Sequence, residues 1–211
     1  YHLQHHKFAQ QVEDPDLVLS APFPITRKSL RRKMIRDLTG QTYFKARLAS
    51  AQRALKARKP GGSYWPVVPA FWKQNWMLIA GGAFFTAVGA PFDYWWAWLA
   101  LWLLPRATWN ALVTRLRNIA EHALVPVNEA DPMRQACTTM ASFLERAFIA
   151  PYWVNYHCEH HMFMHVPCYN LPLAHRLLEE KGVTGRMLIS PGYWDVISQA
   201  SGKREKVLAA A

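Results

Sequence analysis

The sequence predicts an all-α fold in which a membrane helical hairpin carries a cytosolic helical cap. Between Gln74 and Pro105 there is no Lys or Arg, and Asp93 is the only charge. On both sides of this stretch, apolar residues recur at helical spacing and strand signals are weak. The spacing H-x-x-H-H occurs twice, and on a helix it places all three side chains on one face. The cap is therefore predicted to be helical and to hold a site rich in histidine.

The first histidine group opens the chain. His2, His5 and His6 lie at positions i, i+3 and i+4, so a helix would direct three imidazoles to one point in space. An acidic run that contains Asp14 and Asp16 follows, and the prolines of residues 21–24 then break the chain.

Two basic amphipathic helices are predicted next. Residues 27–59 contain twelve Lys or Arg and one acid, Asp37, and a break is expected at Thr39-Gly40. Such helices suit an anionic membrane surface. Solvated helices packed on a domain are the plainer alternative, and nucleic acid is disfavoured because the aromatic residues lie elsewhere.

The uncharged stretch is longer than the roughly 20 residues that one membrane crossing needs. Pro91-Phe92-Asp93 near its middle indicates a turn, so the alternatives are one broken span or a hairpin of helices at about 72–90 and 94–111. Basic residues flank both ends, and the positive-inside rule places both flanks in the cytoplasm. A hairpin over residues 72–111 satisfies this rule and keeps all histidine groups on one side. A hairpin buried in a soluble core is disfavoured, because too little amphipathic sequence remains to cover it.

The rest of the chain is predicted to be helical. The second hairpin helix continues past Arg106 and places Asn118 and His122 on one face. A further amphipathic helix is predicted over 129–150. The helix over 155–165 carries His157, His160 and His161, and residues 170–211 form one or two peripheral helices. Residues 1–71 and 112–211 thus form the cap of a single domain, 1–211.

Composition narrows the partners. The formal net charge is +11, which suits nucleic acid or an anionic membrane, and ten tryptophans with the apolar middle favour the membrane. The three cysteines form no C-x-x-C pair and indicate reduced thiols rather than a disulfide framework.

The histidines predict a metal site. Imidazole binds iron, zinc, copper and nickel, and two H-x-x-H-H faces exceed what one four-coordinate ion needs. The pattern therefore predicts a cluster of two ions or two separate sites. A pair of irons could deliver two electrons to dioxygen and attack an unactivated C–H bond of an apolar substrate. The acidic residues beside the groups are expected to orient the ligands: Asp14, Asp16, Glu121 and Glu159.

These motifs resemble those of the membrane fatty acid desaturase superfamily, the histidine-box di-iron enzymes. The first H-x-x-H-H group is similar to the family's second box, His157-x-Glu159-His160-His161 to its third, and Asn118-x-x-x-His122 to the element between them. The run Asp14-Pro15-Asp16 is similar to the residues that follow the second box in bacterial members of the family. The resemblance extends from Tyr1 to about Leu178. It implies an asparagine, Asn118, that reaches a metal through water, and seven histidine ligands: His2, His5, His6, His122, His157, His160 and His161.

The chain departs from the family pattern in one respect. The family's first box and first membrane hairpin are absent, so seven of nine histidine ligands are present. We interpret the sequence as a truncated member that binds metal incompletely by itself.

The resemblance implies an oxygen-dependent di-iron desaturase that inserts a double bond into a fatty acyl chain of a lipid. Two iron ions would be the cofactor and dioxygen the co-substrate. A ferredoxin-like or cytochrome-type protein would supply electrons, and the enzyme would lie in a bacterial inner membrane with its boxes facing the cytoplasm. The alternatives are a hydroxylase or ketolase of a hydrocarbon or carotenoid on the same scaffold and, more distantly, a bis-histidine haem electron-transfer protein.

Overall fold

The computed structural model describes residues 1–56 and 58–202, apart from the side chain of residue 74. It is 63% helix and 4% strand, so the predicted all-α class is confirmed. The chain forms two compact units. The histidine unit comprises Tyr1–Arg32 and Val113–Ala211, and the hairpin unit comprises Lys33–Leu112. The part of the predicted tail helices that falls on 203–211 lies outside the described residues.

Thirteen regular elements are used below. In the order of the chain they are α1 His2–Lys7, α2 Leu17–Ser20, α3 Arg27–Leu38, α4 Gln41–Leu55, α5 Val67–Gly89, α6 Leu104–Ala107, α7 Trp109–His122, β1 Cys137–Thr139, α8 Phe143–Phe148, α9 His157–Met162, α10 Leu171–Glu180, β2 Leu188–Ser190 and α11 Tyr193–Ala200.

The predicted break between the two basic helices is confirmed. α3 ends at Leu38 and α4 begins at Gln41. Gly40 between them has φ +76°, a left-handed conformation that costs glycine little and other residues more. The two helices that the charge pattern predicts therefore exist as separate elements.

The chain reverses direction after α5. A 3₁₀ turn covers Ala90–Phe92, and the Tyr94 N–H donates to the Gly89 carbonyl at 2.9 Å. Further along, the Trp98 indole lies against Gly82, at 3.1 Å from where a Cβ on that glycine would stand. The residues after the turn thus run back along α5, as a hairpin requires.

The second arm of this hairpin is less regular than the single helix predicted over 94–111. It begins with a π-helical segment, Leu99–Leu103, continues into α6, and is interrupted at Thr108 before α7. Pro105 explains part of this irregularity, because proline has no N–H to donate to the preceding turn. Within the described residues one helical stretch, Asn75–Phe92, is long and apolar enough to cross a membrane.

The prediction of a helix over 129–150 is wrong. Residues 129–136 are irregular, β1 follows, and only α8 is helical. The Asp131 carboxylate accepts the Met133 N–H at 3.0 Å, and the Glu129 carboxylate accepts the Asp131 N–H at 3.0 Å. Such local side-chain bonds compete with helical hydrogen bonding. The expectation of little strand agrees with the 4% of strand, which is mainly the short parallel pair of β1 and β2.

The helix of the third histidine group is shorter than predicted. α9 covers His157–Met162 rather than 155–165, and His165 lies beyond it, exposed to solvent. α9 contacts β1 and α10, so the third group is fixed to the small sheet and to a peripheral helix of the same unit.

Candidate metal centre

All seven predicted ligands converge in the histidine unit, where they form two groups. In each group the imidazole nitrogens lie within 4.8 Å of one another. The four-histidine group consists of His5, His122, His157 and His161, and the three-histidine group consists of His2, His6 and His160. The four-histidine group is mostly buried, whereas the three-histidine group is partly exposed.

Several nitrogen pairs in each group are close enough to share an ion. In the four-histidine group, His157 Nε2 lies 3.0 Å from His122 Nε2 and 3.2 Å from His161 Nε2. In the other group, His6 Nε2 lies 3.1 Å from both His2 Nε2 and His160 Nε2. Two nitrogens that bind one ion at about 2.1 Å each can be at most about 4.2 Å apart, and all these separations are shorter.

The two groups are neighbours. The ring centroids of His6 and His161, one from each group, are 4.3 Å apart. His5 and His6, which are adjacent in sequence, have centroids 5.7 Å apart and also belong to different groups. The arrangement therefore fits a pair of adjacent sites.

The expectation that each H-x-x-H-H helix directs three imidazoles to one point is wrong. On α1, His2 and His6 join one group and His5 joins the other. On α9, His157 and His161 join one group and His160 joins the other. Because successive residues of an α-helix are about 100° apart, positions i+3 and i+4 lie on opposite sides of position i. The i and i+4 side chains meet, and the i+3 side chain serves the second group.

The donor set fits metal ions better than it fits a hydrogen-bond network. Each Nε2 of a neutral imidazole carries either a proton or a lone pair. The third contact of the three-histidine group, His2 to His160, is 3.4 Å, which closes a triangle of nitrogens. Three mutual contacts cannot all be hydrogen bonds under that rule, whereas three lone pairs can all point at one cation.

The imidazoles are held in their metal-binding form. Burial, with the neighbouring histidines adding to it, lowers the pKa of His6 to about 4 and the pKa of His122 to about 3. The pKa values of His157 and His161 are lowered for the same reason. These four rings are therefore neutral at neutral pH, and neutral imidazole is the form that coordinates metal.

Asp14 orients His5, as the sequence predicts for an acidic neighbour. The His5 Nδ1–H donates to the buried Asp14 carboxylate at 2.8 Å, which leaves His5 Nε2 free to face its group. The Asp14 carboxylate also accepts the Gln10 N–H at 2.9 Å and the Asp16 N–H at 2.8 Å. Three bonds thus fix the carboxylate, and the carboxylate fixes the tautomer and direction of the ring.

Asp16, the second aspartate after the first histidine group, has a different partner. Asp16 accepts the Tyr1 hydroxyl at 2.6 Å, and its carboxylate stays 3.8 Å from His5 Nδ1. This bond to Asp16, together with burial, raises the pKa of Tyr1 to about 12. Asp16 therefore holds the start of the chain in place more than it orients a ligand.

Glu121 and Asn118 lie on α7 with His122. The Glu121 carboxylate accepts the Arg117 guanidinium at 3.1 Å and lies 3.9 Å from His157 Nε2. Burial raises the pKa of Glu121. Asn118 is half-buried one helical turn before His122, and its predicted contact with a metal through water stays a prediction.

Glu159 does not face either imidazole group. Its fully buried carboxylate accepts the Thr138 hydroxyl at 2.5 Å and the His175 Nδ1–H. Thr138 in turn accepts the Cys158 N–H at 3.3 Å. Glu159 therefore attaches α9 to β1 and α10. The spacing contains this signal, because a residue two positions after His157 is about 200° away around the helix.

His175, the partner of Glu159, lies outside the H-x-x-H-H motifs, and the sequence pattern indicates no functional role for it. It is buried on α10, and its ring also lies 5.2 Å from that of Tyr156. A histidine at a helical position with leucines around it gave no signal of a partner 16 residues away.

Comparison with known proteins gives one family. The family model described as fatty acid desaturase matches residues 1–191. No curated protein and no solved structure matches the chain. The match covers both histidine groups, the hairpin unit and most of the histidine unit, so the chain belongs to the fatty acid desaturase family.

Proposed function

We propose that the two histidine groups bind two iron ions and that the protein is an oxygen-dependent desaturase of lipid acyl chains. The family is one of oxidoreductases. The observation that carries the proposal is the convergence of seven imidazoles into two adjacent groups, with neighbouring nitrogens 3.0–3.4 Å apart. The same separations leave no room for a porphyrin between any of these nitrogens, which disfavours the haem alternative.

The residues divide the work as follows. His5, His122, His157 and His161 would hold one ion, and His2, His6 and His160 the other. When bound, the iron pair supplies the electrons that activate dioxygen against an unactivated C–H bond. Asp14 keeps the proton of His5 on Nδ1, so that Nε2 offers its lone pair. The three-histidine group is partly exposed, so further donors can reach it.

The membrane arrangement is part of the proposal. α5 supplies one crossing, and the arm that returns from Tyr94 supplies the second. Basic residues on both flanks favour a cytoplasmic position for the histidine groups, in a bacterial inner membrane. An acidic ferredoxin-like or cytochrome-type donor suits the basic chain, whose net charge is +11.

Metal content tests the proposal first. We would measure iron and zinc per polypeptide in the purified protein and in four variants. His122→Ala and His2→Ala each remove a ligand from one group, and His160→Ala with His161→Ala removes one from each. His165→Ala is the matched control, because this histidine is exposed and outside both groups.

Loss of iron in the group variants and retention in His165→Ala would support the proposal. Zinc alone, or unchanged metal in the double variant, would overturn it. Mass spectrometry of lipids after turnover then separates the reactions, because desaturation removes two hydrogens and hydroxylation adds oxygen.

A further inference from the structure

The histidine unit contains an apolar loop that ends immediately before the third histidine group. Residues 140–154, called the apolar loop here, contain only two charged residues, Glu145 and Arg146. Backbone bonds close its base, since the Thr139 N–H donates to the Asn155 carbonyl at 2.9 Å and the Asn155 side chain donates to the Thr139 carbonyl at 3.0 Å. The closed base lies two residues from His157, so the loop and the metal-binding helix α9 are anchored at the same point.

Large apolar side chains of this loop face solvent. Phe143 is 75% exposed and Tyr152 is 81% exposed, and Leu144 and Phe148 are also exposed. Trp194 is also exposed, and the N–H of its neighbour Tyr193 donates to the Glu145 carboxylate at 3.3 Å. A contiguous exposed patch of large apolar side chains marks an interaction surface.

Three polar side chains of the apolar loop already have partners within the fold. Ser142 and Glu145 form a reciprocal capping box at the start of α8, and Glu145 also accepts the Tyr193 N–H. Arg146 stacks on the Trp153 ring, 4.7 Å from its centroid. The carboxylate is thus satisfied within the fold, and the half-buried Arg146 is the other charge of the loop.

This chemistry favours a bilayer over a protein partner. Protein interfaces carry about one hydrogen bond per 100–200 Å², whereas the capping-box side chains of the apolar loop, Ser142 and Glu145, already form their hydrogen bonds within the fold. Aromatic rings with an arginine among them are instead typical of the interfacial zone of a membrane. The arginine complements the negative headgroups of a cytoplasmic leaflet.

We propose that the apolar loop inserts into the headgroup region of an anionic phospholipid bilayer and so anchors the third histidine group at the membrane surface. This inference rests on the proposed function in one respect, because an enzyme that acts on lipid acyl chains works beside a bilayer. It adds a docking surface in the histidine unit that is separate from the crossings of the hairpin unit.

Site-specific fluorescence tests the proposal in the full chain. The exposed Cys168 is replaced by Ser, the buried Cys137 and Cys158 remain, and one cysteine is introduced and labelled with the environment-sensitive dye NBD. The positions are Leu144→Cys and Phe148→Cys in the loop, and Glu180→Cys as the exposed polar control on α10. The protein is placed in nanodiscs of mixed phosphatidylcholine and phosphatidylglycerol.

We expect loop labels to emit at shorter wavelength, to be quenched severalfold more strongly by doxyl-labelled lipid than the label at 180, and to be protected from iodide. Equal iodide quenching at all three positions would overturn the proposal. In a Phe143→Ser, Phe148→Ser background, a label at Tyr152→Cys should lose its quenching by doxyl lipid. Retained quenching there would show that Phe143 and Phe148 do not drive insertion, and it would contradict the proposal.

A separate comparison tests the role of charge. In nanodiscs of phosphatidylcholine alone, or with Arg146→Gln, quenching by doxyl lipid should weaken, and unchanged quenching would contradict the assignment to anionic headgroups. Iron content is measured on the same samples. Normal iron with no insertion of the loop would refute this inference alone, whereas insertion without iron would refute the proposed function alone.

Discussion

At the scale of single residues, the Asp14 carboxylate and the backbone turn that holds it fix the orientation of the His5 ring. Asp14 receives two backbone N–H groups and the His5 ring, so its position is set before any ion arrives. The sequence indicated this role, because the acidic run follows the first histidine group directly. It did not indicate which of the two aspartates faces the ring, since that depends on a turn in which Gln10 adopts φ +62°.

Replacement of Asp14 tests this preparation. Asp14→Asn should weaken metal binding about 10- to 100-fold, because the ring loses the charged acceptor that fixes its tautomer. Competition with a coloured chelator measures the affinity. Asp16→Asn is the control, and it should have a smaller effect because its carboxylate stays 3.8 Å from His5 Nδ1. Equal losses in the two variants would contradict the separate roles.

The Glu159–His175 pair should contribute to folding stability and should not contact a bound metal. His175→Ala leaves a fully buried carboxylate with one partner fewer, which should cost about 1–3 kcal/mol of stability. Thermal unfolding in detergent measures this loss. Adding Glu159→Gln to His175→Ala should recover part of it, since a neutral amide is less costly to bury. No recovery in the double variant would argue against the pair.

At the scale of elements, the histidine spacing predicted which residues belong together but not how they divide. The i, i+3, i+4 pattern pointed to six of the seven histidines that the structure brings together, and the family resemblance added His122. Division into groups of four and three needs the relative rotation of α1 and α9, which is a tertiary property. The failed prediction over 129–150 has a similar cause, because pairing with the distant Leu188–Ser190 segment stabilises β1 there.

The turn after α5 depends on a glycine without a side chain. A Cβ at Gly89 would stand 2.6 Å from the Tyr94 carbonyl oxygen, a backbone atom that cannot rotate away. Gly89→Ala should therefore lower the melting temperature, at a cost of about 1–3 kcal/mol. Gly81→Ala on the same helix meets nothing within 4 Å and should be neutral or stabilising by up to about 1 kcal/mol. Equal effects at both positions would show that the turn tolerates a wider geometry.

At the scale of the whole molecule, the sequence predicted the class and the general plan. The break at Gly40, the reversal near Pro91 and the histidine elements all follow local signals of periodicity, glycine and proline. The irregular second arm, the small sheet and the bond between Glu159 and His175 depend on contacts between distant residues. Those contacts leave no periodic signal along the chain, which explains why they were missed.

The charge of the whole chain leads to a prediction about electron supply. If an acidic ferredoxin-like donor binds the basic protein, reduction of the bound iron should slow as salt is raised from about 50 mM to about 500 mM, because screening shortens the range of attraction. Stopped-flow absorbance with a purified ferredoxin measures the rate. A neutral chemical reductant is the control and should show little salt dependence. A salt-independent rate with the ferredoxin would exclude an electrostatic donor site.

The histidines of each H-x-x-H-H motif are divided between the two groups, and this has a consequence for metal uptake. Because α1 and α9 each contribute to both groups, an ion bound in either group would fix the helices that carry ligands for the other. The first ion bears the entropy of fixing α1 against α9, and the second finds its ligands already placed. Metal uptake should therefore be cooperative, and half-loaded molecules should be scarce at intermediate metal supply.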